Sequence, residues 1–443
     1  MFPFRQTKSY SSGWARLGAT LMVAALVLSL TACAKKNPFI IDLMPAPEVY
    51  TDGTVDLFSS QPAVVEAPVV PVFYATDRKP DAEGDHFYLN ERGFNLRLGL
   101  ARVALGEEGY TWEEARRVSL LKNRTDKYPL KVDAVDELGI LDRSFNVFTP
   151  REIIPPQPHA AAQQFAATIN ERLAASSKKE IFIYVHGYKV VFDNPLLVAA
   201  ELWHFLGYEG VFIAYAWPST PSRWAYFSDL ETTQLSAHNL RIFLEYLAEE
   251  TDAERINLVG YSAGTRVVAG ALHQLALMNV STDPEAVLSK FRIGQLILVG
   301  SDMDRQLFGA YLVDELLKVV EDATIYVSAT DKALGFSTWL LRRERLGQTR
   351  VDFLNPRVLE YLQKTPHLHM VDVTAVEGSD TGNGHGYFRS SPWVSSDLLM
   401  TLMHDLDPED RGLVRLPGQP LWTFPDDYIE RLRAALMARP AFP

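Results

Sequence analysis

The sequence predicts an α/β protein with a mostly parallel central sheet flanked by helices. Six short apolar runs rich in Ile, Val and Tyr recur along residues 180–375: EIFIYV, GVFIAYA, RINLVGY, QLILVGS, ATIYVSA and LHMVDVTA. Runs of this kind fit strands that are buried on both faces. Helical patterns lie between most of the runs, and strands that alternate with helices favour parallel pairing.

The clearest helical pattern is DNPLLVAAELWHFLG, which follows the first apolar run. Asp193 or Asn194 is expected to cap its amino end, and Pro195 lies near the first helical position, where proline is tolerated. Gly207 is expected to end the helix. The segment therefore predicts a helix between the first two strands.

The composition is that of a large globular protein. The chain has 443 residues, of which 47% are hydrophobic and 22% are charged, so it is long enough for a large core. Its formal net charge is -12. An acidic balance of this size argues against a nucleic-acid partner, which is usually bound through a basic patch.

The first 32 residues have the features of a secretory signal peptide. An apolar run over residues 17–30 is too short for a membrane span, and it follows the basic residues Arg5, Lys8 and Arg16. The run ends in LTAC, which is similar to the bacterial lipobox, where cleavage leaves a lipid-bearing cysteine at the amino terminus. Cys33 is the only cysteine of the chain, so no disulfide is expected.

Cleavage before Cys33 predicts a lipid-anchored protein of the bacterial cell envelope. Several acyl chains on one residue anchor a protein stably, whereas a single chain does not. Ala34 follows the cysteine, in place of the aspartate that retains lipoproteins in the inner membrane. We therefore expect delivery to the outer membrane, with the protein facing the periplasm.

The rest of the chain divides into four predicted segments. Residues 33–71 contain six prolines and are predicted to be the lipid anchor and a proline-rich tether. Residues 72–150 include VFYATDRKP and FNLRLGLARVAL, whose alternation predicts a β-rich portion. Residues 151–405 are the main α/β domain, and residues 406–443 are a C-terminal extension with a terminal helix.

A serine lies between two glycines where the third apolar run meets an amphipathic helix. Gly260-Tyr261-Ser262-Ala263-Gly264 has the pattern G-x-S-x-G of the nucleophile elbow. This strained turn exposes the serine hydroxyl, and side chains at the two glycines would collide with the neighbouring strand and helix. In a parallel sheet, reactive groups collect at the carboxyl ends of the strands. Ser262 is therefore the predicted nucleophile.

A serine hydroxyl needs a base, which follows the nucleophile in chain order in this arrangement. His385 is the predicted base, because it lies in the glycine-rich loop GSDTGNGHGYF after the last apolar run. His367 and His369 stand at the start of that run, and His404 is expected on a helix face. These three histidines are therefore not favoured.

A carboxylate is expected to orient the imidazole and stabilise its charged form. Asp331 follows the fifth run and is the favoured acid, because the later strand is the commoner position. Asp302 follows the fourth run and is the alternative, and Asp304 is a third, less favoured candidate. The sequence leaves this choice open.

Two backbone amides are needed to stabilise an oxyanion. Ala263, the residue after the nucleophile, is expected to donate one. Gly187 or Tyr188 is expected to donate the other from the segment YVHGYKVVF, where glycine permits a close approach of the backbone. His186 precedes the serine in the chain and is expected to shape this loop rather than act as the base.

Several motifs together resemble a bacterial α/β-hydrolase family of largely uncharacterised function, with esterase-like and lipase-like features: VFYATDRKP, VHGYKVVF, AYAWPS, LVGYSAGTR, GSDMD, SATDKAL and GHGYF. The resemblance covers roughly residues 70 to 400 and implies the α/β-hydrolase fold. Lys189 is a departure, because the family is expected to prefer Asn after HGY. The resemblance implies a nucleophile, a base and an acid, which are Ser262, His385 and Asp331 or Asp302.

A serine nucleophile with an oxyanion hole predicts hydrolysis of carboxyl esters through an acyl-enzyme. No metal-binding or phosphate-binding motif is evident, so neither a cofactor nor a metal is expected. The aromatic stretch over residues 217–234 is expected to line an acyl pocket, to form a lid or to be a packed loop. The expected partners are a small-molecule or lipid ester and, through Cys33, the membrane.

Two alternative functions stay open. A serine peptidase would use the same groups, although no domain that selects substrates by size is evident. A non-catalytic envelope lipoprotein would keep the fold as a binding surface, although it would not need all of these groups together. The oligomeric state also stays open.

Overall fold

The structure is a computed structural model that describes residues 37–56, 69–84, 86–107, 109–222, 225–349, 356–416 and 419–438. The predicted signal peptide and Cys33 lie outside these residues. The chain divides into two compact units, residues 1–38 and residues 39–443, and every element named below belongs to the second. Within the described residues, no helix has both the length and the apolar character that a membrane span requires.

Twelve strands form one sheet in the described part of the chain. In chain order the strands are β1 (Ile40–Asp42), β2 (Val69–Pro80), β3 (Tyr88–Leu105), β4 (Pro129–Ile140), β5 (Glu180–Val185), β6 (Val211–Tyr215), β7 (Arg255–Tyr261), β8 (Ile293–Val299), β9 (Asp322–Val327), β10 (Leu368–Asp372), β11 (Val414–Arg415) and β12 (Leu421–Thr423). Their order across the sheet is β1-β4-β3-β2-β6-β5-β7-β8-β9-β10-β12-β11.

Twelve α-helices flank this sheet in the described part of the chain. They are α1 (Trp112–Val118), α2 (Ala160–Ala175), α3 (Asp193–His204), α4 (Tyr226–Glu250), α5 (Gly264–Met278), α6 (Pro284–Phe291), α7 (Arg305–Val313), α8 (Lys332–Leu341), α9 (Pro356–Lys364), α10 (Tyr387–Ser390), α11 (Pro392–His404) and α12 (Tyr428–Met437).

The six apolar runs form strands β5 to β10, and each of these strands is parallel to its neighbours among them. In β5, Phe182 and Tyr184 pack into one layer of the core, whereas Ile181, Ile183 and Val185 pack into the other. A strand buried on both faces needs no polar alternation, which explains the near-continuous apolar runs. The prediction of a mostly parallel sheet flanked by helices is confirmed.

Helix α3 occupies the segment with the clearest helical pattern. It begins at Asp193, and Phe192 takes the N-cap position. The expected cap at Asp193 or Asn194 is therefore wrong, because both residues already lie in the first turn. Gly207 has a φ of 64°, a left-handed conformation that an α-helix cannot continue through.

The β-rich N-terminal portion extends the central sheet. Strand β2 pairs antiparallel with β3, and β3 pairs antiparallel with β4. Parallel pairing of β2 with β6 joins these strands to the rest of the sheet. Strand β2 begins at Val69, a little before the predicted boundary at residue 72.

Residues 39–50 pack against the folded body, contrary to the tether predicted over residues 33–71. Strand β1 pairs antiparallel with β4, and both Val49 and Tyr50 are buried. The Tyr50 hydroxyl donates a hydrogen bond of 2.8 Å to the carbonyl oxygen of Phe205. Apolar side chains that pack into the core lie between the prolines of this segment. Proline content therefore does not predict a tether here.

The C-terminal segment also joins the sheet. Strand β12 pairs in parallel with β10, and β11 pairs antiparallel with β12. Buried Arg411 lies 2.8 Å from the carboxylate of Asp397 on α11, which fixes the loop that leads to β11. Helix α12 lies where the sequence predicts a terminal helix.

Candidate active site

Ser262 lies at the sharp turn between β7 and α5. Its φ is 53°, a left-handed conformation that is strained for a residue with a side chain. A Cβ atom at Gly264 would lie 2.3 Å from the Val185 carbonyl oxygen, and one at Gly260 would lie 3.2 Å from the Thr265 Cα. Close packing therefore requires both glycines of the predicted elbow.

The structure brings Ser262, His385 and Asp331 together. Ser262 Oγ lies 2.8 Å from His385 Nε2, and His385 Nδ1 lies 2.6 Å from Asp331 Oδ2. With its proton on Nδ1, the neutral ring donates to the carboxylate and accepts from the serine hydroxyl. These contacts are the ones expected of the predicted nucleophile, base and favoured acid.

The acid and the base are each held by their surroundings. Asp331 caps α8, because its Oδ1 accepts a hydrogen bond of 3.0 Å from the Leu334 amide while Oδ2 faces the histidine. A Cβ atom at Gly300 would lie 3.0 Å from His385 Cε1. The Tyr387 hydroxyl accepts a hydrogen bond of 2.7 Å from the Gly300 amide. Sequence reasoning gave no role to Gly300 or Tyr387, although they lie in the motifs GSDMD and GHGYF that carry the family resemblance.

Asp302, the alternative acid, binds other groups. Its Oδ2 accepts from the Tyr226 hydroxyl at 2.6 Å and from Arg266 Nε at 3.2 Å. Arg345 Nε lies 3.8 Å from its Oδ1. Burial lowers the pKa of the Arg345 guanidinium, and the negative charge of Asp302 opposes that change. The carboxylate therefore faces two arginines and a tyrosine rather than the histidine.

The less favoured candidates lie apart from the triad. Asp304 caps α7 and accepts from two backbone amides of that helix. His369 lies in β10 and His367 directly before it, at the amino end of the strand. His404 ends α11, in agreement with the expected helical position. The structure therefore groups only one of the four candidate histidines with Ser262.

The expected oxyanion residues lie beside the serine. A Cβ atom at Gly187 would lie 2.9 Å from Ser262 Cβ, which shows how closely this loop approaches the nucleophile. Ala263 is the N-cap residue of α5, where a backbone amide has no acceptor within its own helix. Tyr188 lines the cavity at Ser262, and its ring centroid lies 5.3 Å from that of Tyr226.

His186 is buried behind this loop. Its ring stacks on Trp217 with centroids 5.2 Å apart, and Trp217 Nε1 donates a hydrogen bond of 2.6 Å to the His186 carbonyl oxygen. Burial lowers the pKa of His186 well below its usual value, and the charge of Arg78 adds to this effect. The histidine is therefore neutral near pH 7, and its contacts support the loop-shaping role expected for it.

Lys189 has a φ of 68°. Asn adopts left-handed backbone more readily than most residues with a side chain. The left-handed backbone thus explains why Asn is expected at this position. The lysine found here carries local backbone strain.

A cavity of about 20 Å³ opens at Ser262. Its lining combines the predicted nucleophile and base, Asp302, aromatic residues and one face of α8: Tyr188, Tyr226, Ser262, Asp302, Ala333, Leu334, Phe336, Ser337, Leu340 and His385. Of the aromatic stretch over residues 217–234, Tyr226 lines the cavity and Trp217 packs beneath the loop, whereas Trp224 is outside the described residues. Sequence reasoning missed α8, although KALGFSTWLL directly follows Asp331.

The fold and the site together define a class of protein. A parallel sheet that carries a serine on a strained strand-to-helix turn, hydrogen-bonded to a histidine and an aspartate from later loops, is the architecture of an α/β hydrolase. The chain belongs to the family described as alpha/beta hydrolase of unknown function (DUF900), whose model matches residues 161–402. No curated protein matches the sequence significantly. The family resemblance inferred from the motifs is confirmed.

Proposed function

We propose that this α/β hydrolase cleaves carboxyl esters through an acyl-enzyme on Ser262. The observation that carries the proposal is the 2.8 Å contact between Ser262 Oγ and His385 Nε2 at a strained turn. A serine hydroxyl held against an imidazole nitrogen, with the ring oriented in turn by a buried aspartate, is an activated nucleophile. A protein that used the fold only as a binding surface would need none of these contacts.

The mechanism follows from the positions of these groups. His385 takes the serine proton as Ser262 Oγ attacks the ester carbonyl, and Asp331 stabilises the imidazolium that results. The amides of Ala263 and of Tyr188 or Gly187 stabilise the tetrahedral oxyanion. His385 then returns the proton to the leaving alcohol. A water molecule, activated by the same histidine, attacks the acyl-enzyme and releases the acid.

The surroundings of the cavity favour an ester with an apolar acyl chain. Phe336 and Trp339 lie on α8 with ring centroids 5.8 Å apart, and 52% and 72% of their surfaces are exposed. A cavity of about 20 Å³ accommodates little more than the reacting carbonyl group. The rest of the acyl chain would therefore lie along the aromatic face of α8, where contact removes apolar surface from water.

We place the enzyme in the bacterial envelope, held at the outer membrane and facing the periplasm through lipid on Cys33. Support for this location comes from LTAC and Ala34 in the sequence. A lipid ester, or another ester of the cell envelope, is then the proposed substrate class. Metabolic labelling with an alkyne fatty acid is expected to mark the wild type and to leave Cys33→Ser unlabelled, and equal labelling of both proteins would refute lipidation at this residue.

The decisive experiment is labelling of the detergent-solubilised full chain with a fluorophosphonate probe. Ser262→Ala is expected to lose all labelling, because the probe reacts only with an activated serine. Ser337→Ala is the matched control, since Ser337 lines the same cavity and should leave labelling intact. A folded wild type that does not react, or that reacts at another residue, would refute the proposal. p-Nitrophenyl esters of increasing chain length would then define the acyl preference.

A further inference from the structure

A cluster of potential metal ligands lies at the edge of the sheet opposite the triad. Asp322 is the first residue of β9, and His369 is the second residue of β10, so both stand at the amino ends of their strands. Asp407 approaches them from the loop that follows α11. Ser262 and Asp331, by contrast, follow the carboxyl ends of their strands.

The three side chains point toward one another without forming hydrogen bonds. One ligand atom from each lies within 4.8 Å of the other two. His369 Nε2 is 3.6 Å from Asp322 Oδ1 and 4.0 Å from Asp407 Oδ1. Both distances exceed the roughly 2.7–3.2 Å of a protein hydrogen bond to nitrogen.

These separations fit ligands arranged around a metal ion. Two ligands at about 2.1 Å from a tetrahedral zinc ion lie about 3.4 Å from each other. The observed 3.6 Å and 4.0 Å are therefore close to the spacing that zinc would impose. His367 Nδ1 also lies 3.6 Å from Asp322 Oδ1, but His367 is outside the group of ligand atoms that all lie within 4.8 Å of one another.

Charge and burial favour a divalent cation with a mixed nitrogen and oxygen ligand set. When they bind a metal ion, an imidazole is neutral and two carboxylates carry a charge of -2, which one divalent ion balances. The His369 side chain is 10% exposed and would form the fixed inner ligand, whereas that of Asp407 is 77% exposed and leaves the site open to solvent. Imidazole nitrogens and carboxylate oxygens are both ligands of tetrahedral zinc.

We propose that Asp322, His369 and Asp407 bind a zinc ion, with a water molecule as the fourth ligand. The ion would connect the loop after α11 to the amino ends of β9 and β10. That loop leads to β11 and β12, which extend the sheet beyond β10. The site would thus stabilise the C-terminal edge of the sheet and would take no part in ester hydrolysis.

The test is zinc titration of the tag-free, EDTA-treated full chain by isothermal calorimetry and thermal unfolding near pH 7.5. We expect one zinc ion per chain and a rise in the unfolding temperature of roughly 3 °C at saturating zinc. His369→Ala and Asp407→Asn should each weaken zinc binding by at least about 100-fold. Asp407 is exposed, so its variant tests the site without disturbing the core.

His273→Ala is the matched control. His273 Nε2 lies 2.9 Å from Asp314 Oδ2, the distance of an ordinary two-group hydrogen bond, and its loss should leave zinc binding unchanged. The proposal is overturned if the wild type binds no zinc, or if zinc binding is the same in Asp407→Asn as in the wild type. Fluorophosphonate labelling of Ser262 should not depend on zinc, which keeps this test separate from that of the esterase.

Discussion

A buried carboxylate follows each of the strands β8 and β9, and the two carboxylates have different neighbours. Asp302 and Asp331 are 3% and 1% exposed, so burial does not distinguish them. Asp331 meets a histidine at 2.6 Å, whereas Asp302 meets a tyrosine, a serine and two arginines. Position along the fold thus supplies two equivalent acids, and the groups around each acid decide what it does.

The difference assigns separate tasks to the two strand ends. The carboxylate after β9 holds the imidazole that accepts and returns a proton in the proposed mechanism. The carboxylate after β8 balances buried guanidinium groups and fixes Tyr226 and Ser337, which line the cavity. It therefore acts on the shape of the site and on stability.

The largest difference between variants of Asp331 and Asp302 is expected in kcat. Asp331→Asn is expected to lower kcat by about 10⁴-fold, because the amide stabilises the wrong tautomer of His385 and cannot balance the imidazolium. Asp302→Asn is expected to lower kcat by less than about tenfold. Steady-state hydrolysis of a short p-nitrophenyl ester measures both, after circular dichroism has shown that each variant is folded. The reverse order would make Asp302 the triad acid.

The free energy of unfolding should fall more in Asp302→Asn than in Asp331→Asn, which is the reverse of the order expected for kcat. Asp302→Asn removes the charge that balances Arg266 and Arg345, and breaking a buried ion pair in this way costs about 3 kcal/mol. Asp331→Asn keeps a hydrogen-bonding side chain and should cost about 1 kcal/mol. Urea unfolding measures both free energies, if one common slope of free energy against urea concentration is fitted to the two variants and the wild type. Equal losses would mean that Asp302 has no special role in charge balance.

The smallest effect is expected from removing the hydrogen bond between Tyr226 and Asp302. Tyr226→Phe removes the hydroxyl that donates to Asp302 at 2.6 Å and keeps the ring that lines the cavity. A hydrogen bond to a charged group contributes about 1.5 kcal/mol. We expect this loss in urea unfolding, with kcat changed by less than about threefold. A much larger fall in kcat would show that the tyrosine hydroxyl takes part in the reaction.

Local signals predict much of the fold and the site. The apolar runs identify β5 to β10, because a strand that is buried on both faces has apolar residues at nearly every position. Ser262 is marked by its glycines, and His385 by chain order and a glycine-rich loop. Apart from the chain order, these signals lie in the residues next to the position that they predict.

The choice between Asp302 and Asp331 could not be made in this way. Both follow apolar strands, and the sequence does not show which carboxylate points toward the histidine. The tether prediction failed for a related reason. Val49 and Tyr50 pack against residues far along the chain, since the Val49 amide donates to Ser396 Oγ at 3.1 Å. Such contacts leave no periodic pattern near the residues that make them.

The short outer strands of the sheet bear on how copies of this protein meet. An exposed sheet edge is a template on which a second chain can pair, and very short or charged edges discourage such pairing. Strand β11 has two residues, and β1 has three and covers only the beginning of β4. Farther along, β4 carries Asp133, Asp136 and Glu137. Two copies that met edge to edge would present short strands and acidic side chains to each other, which oppose growth of one sheet into the next.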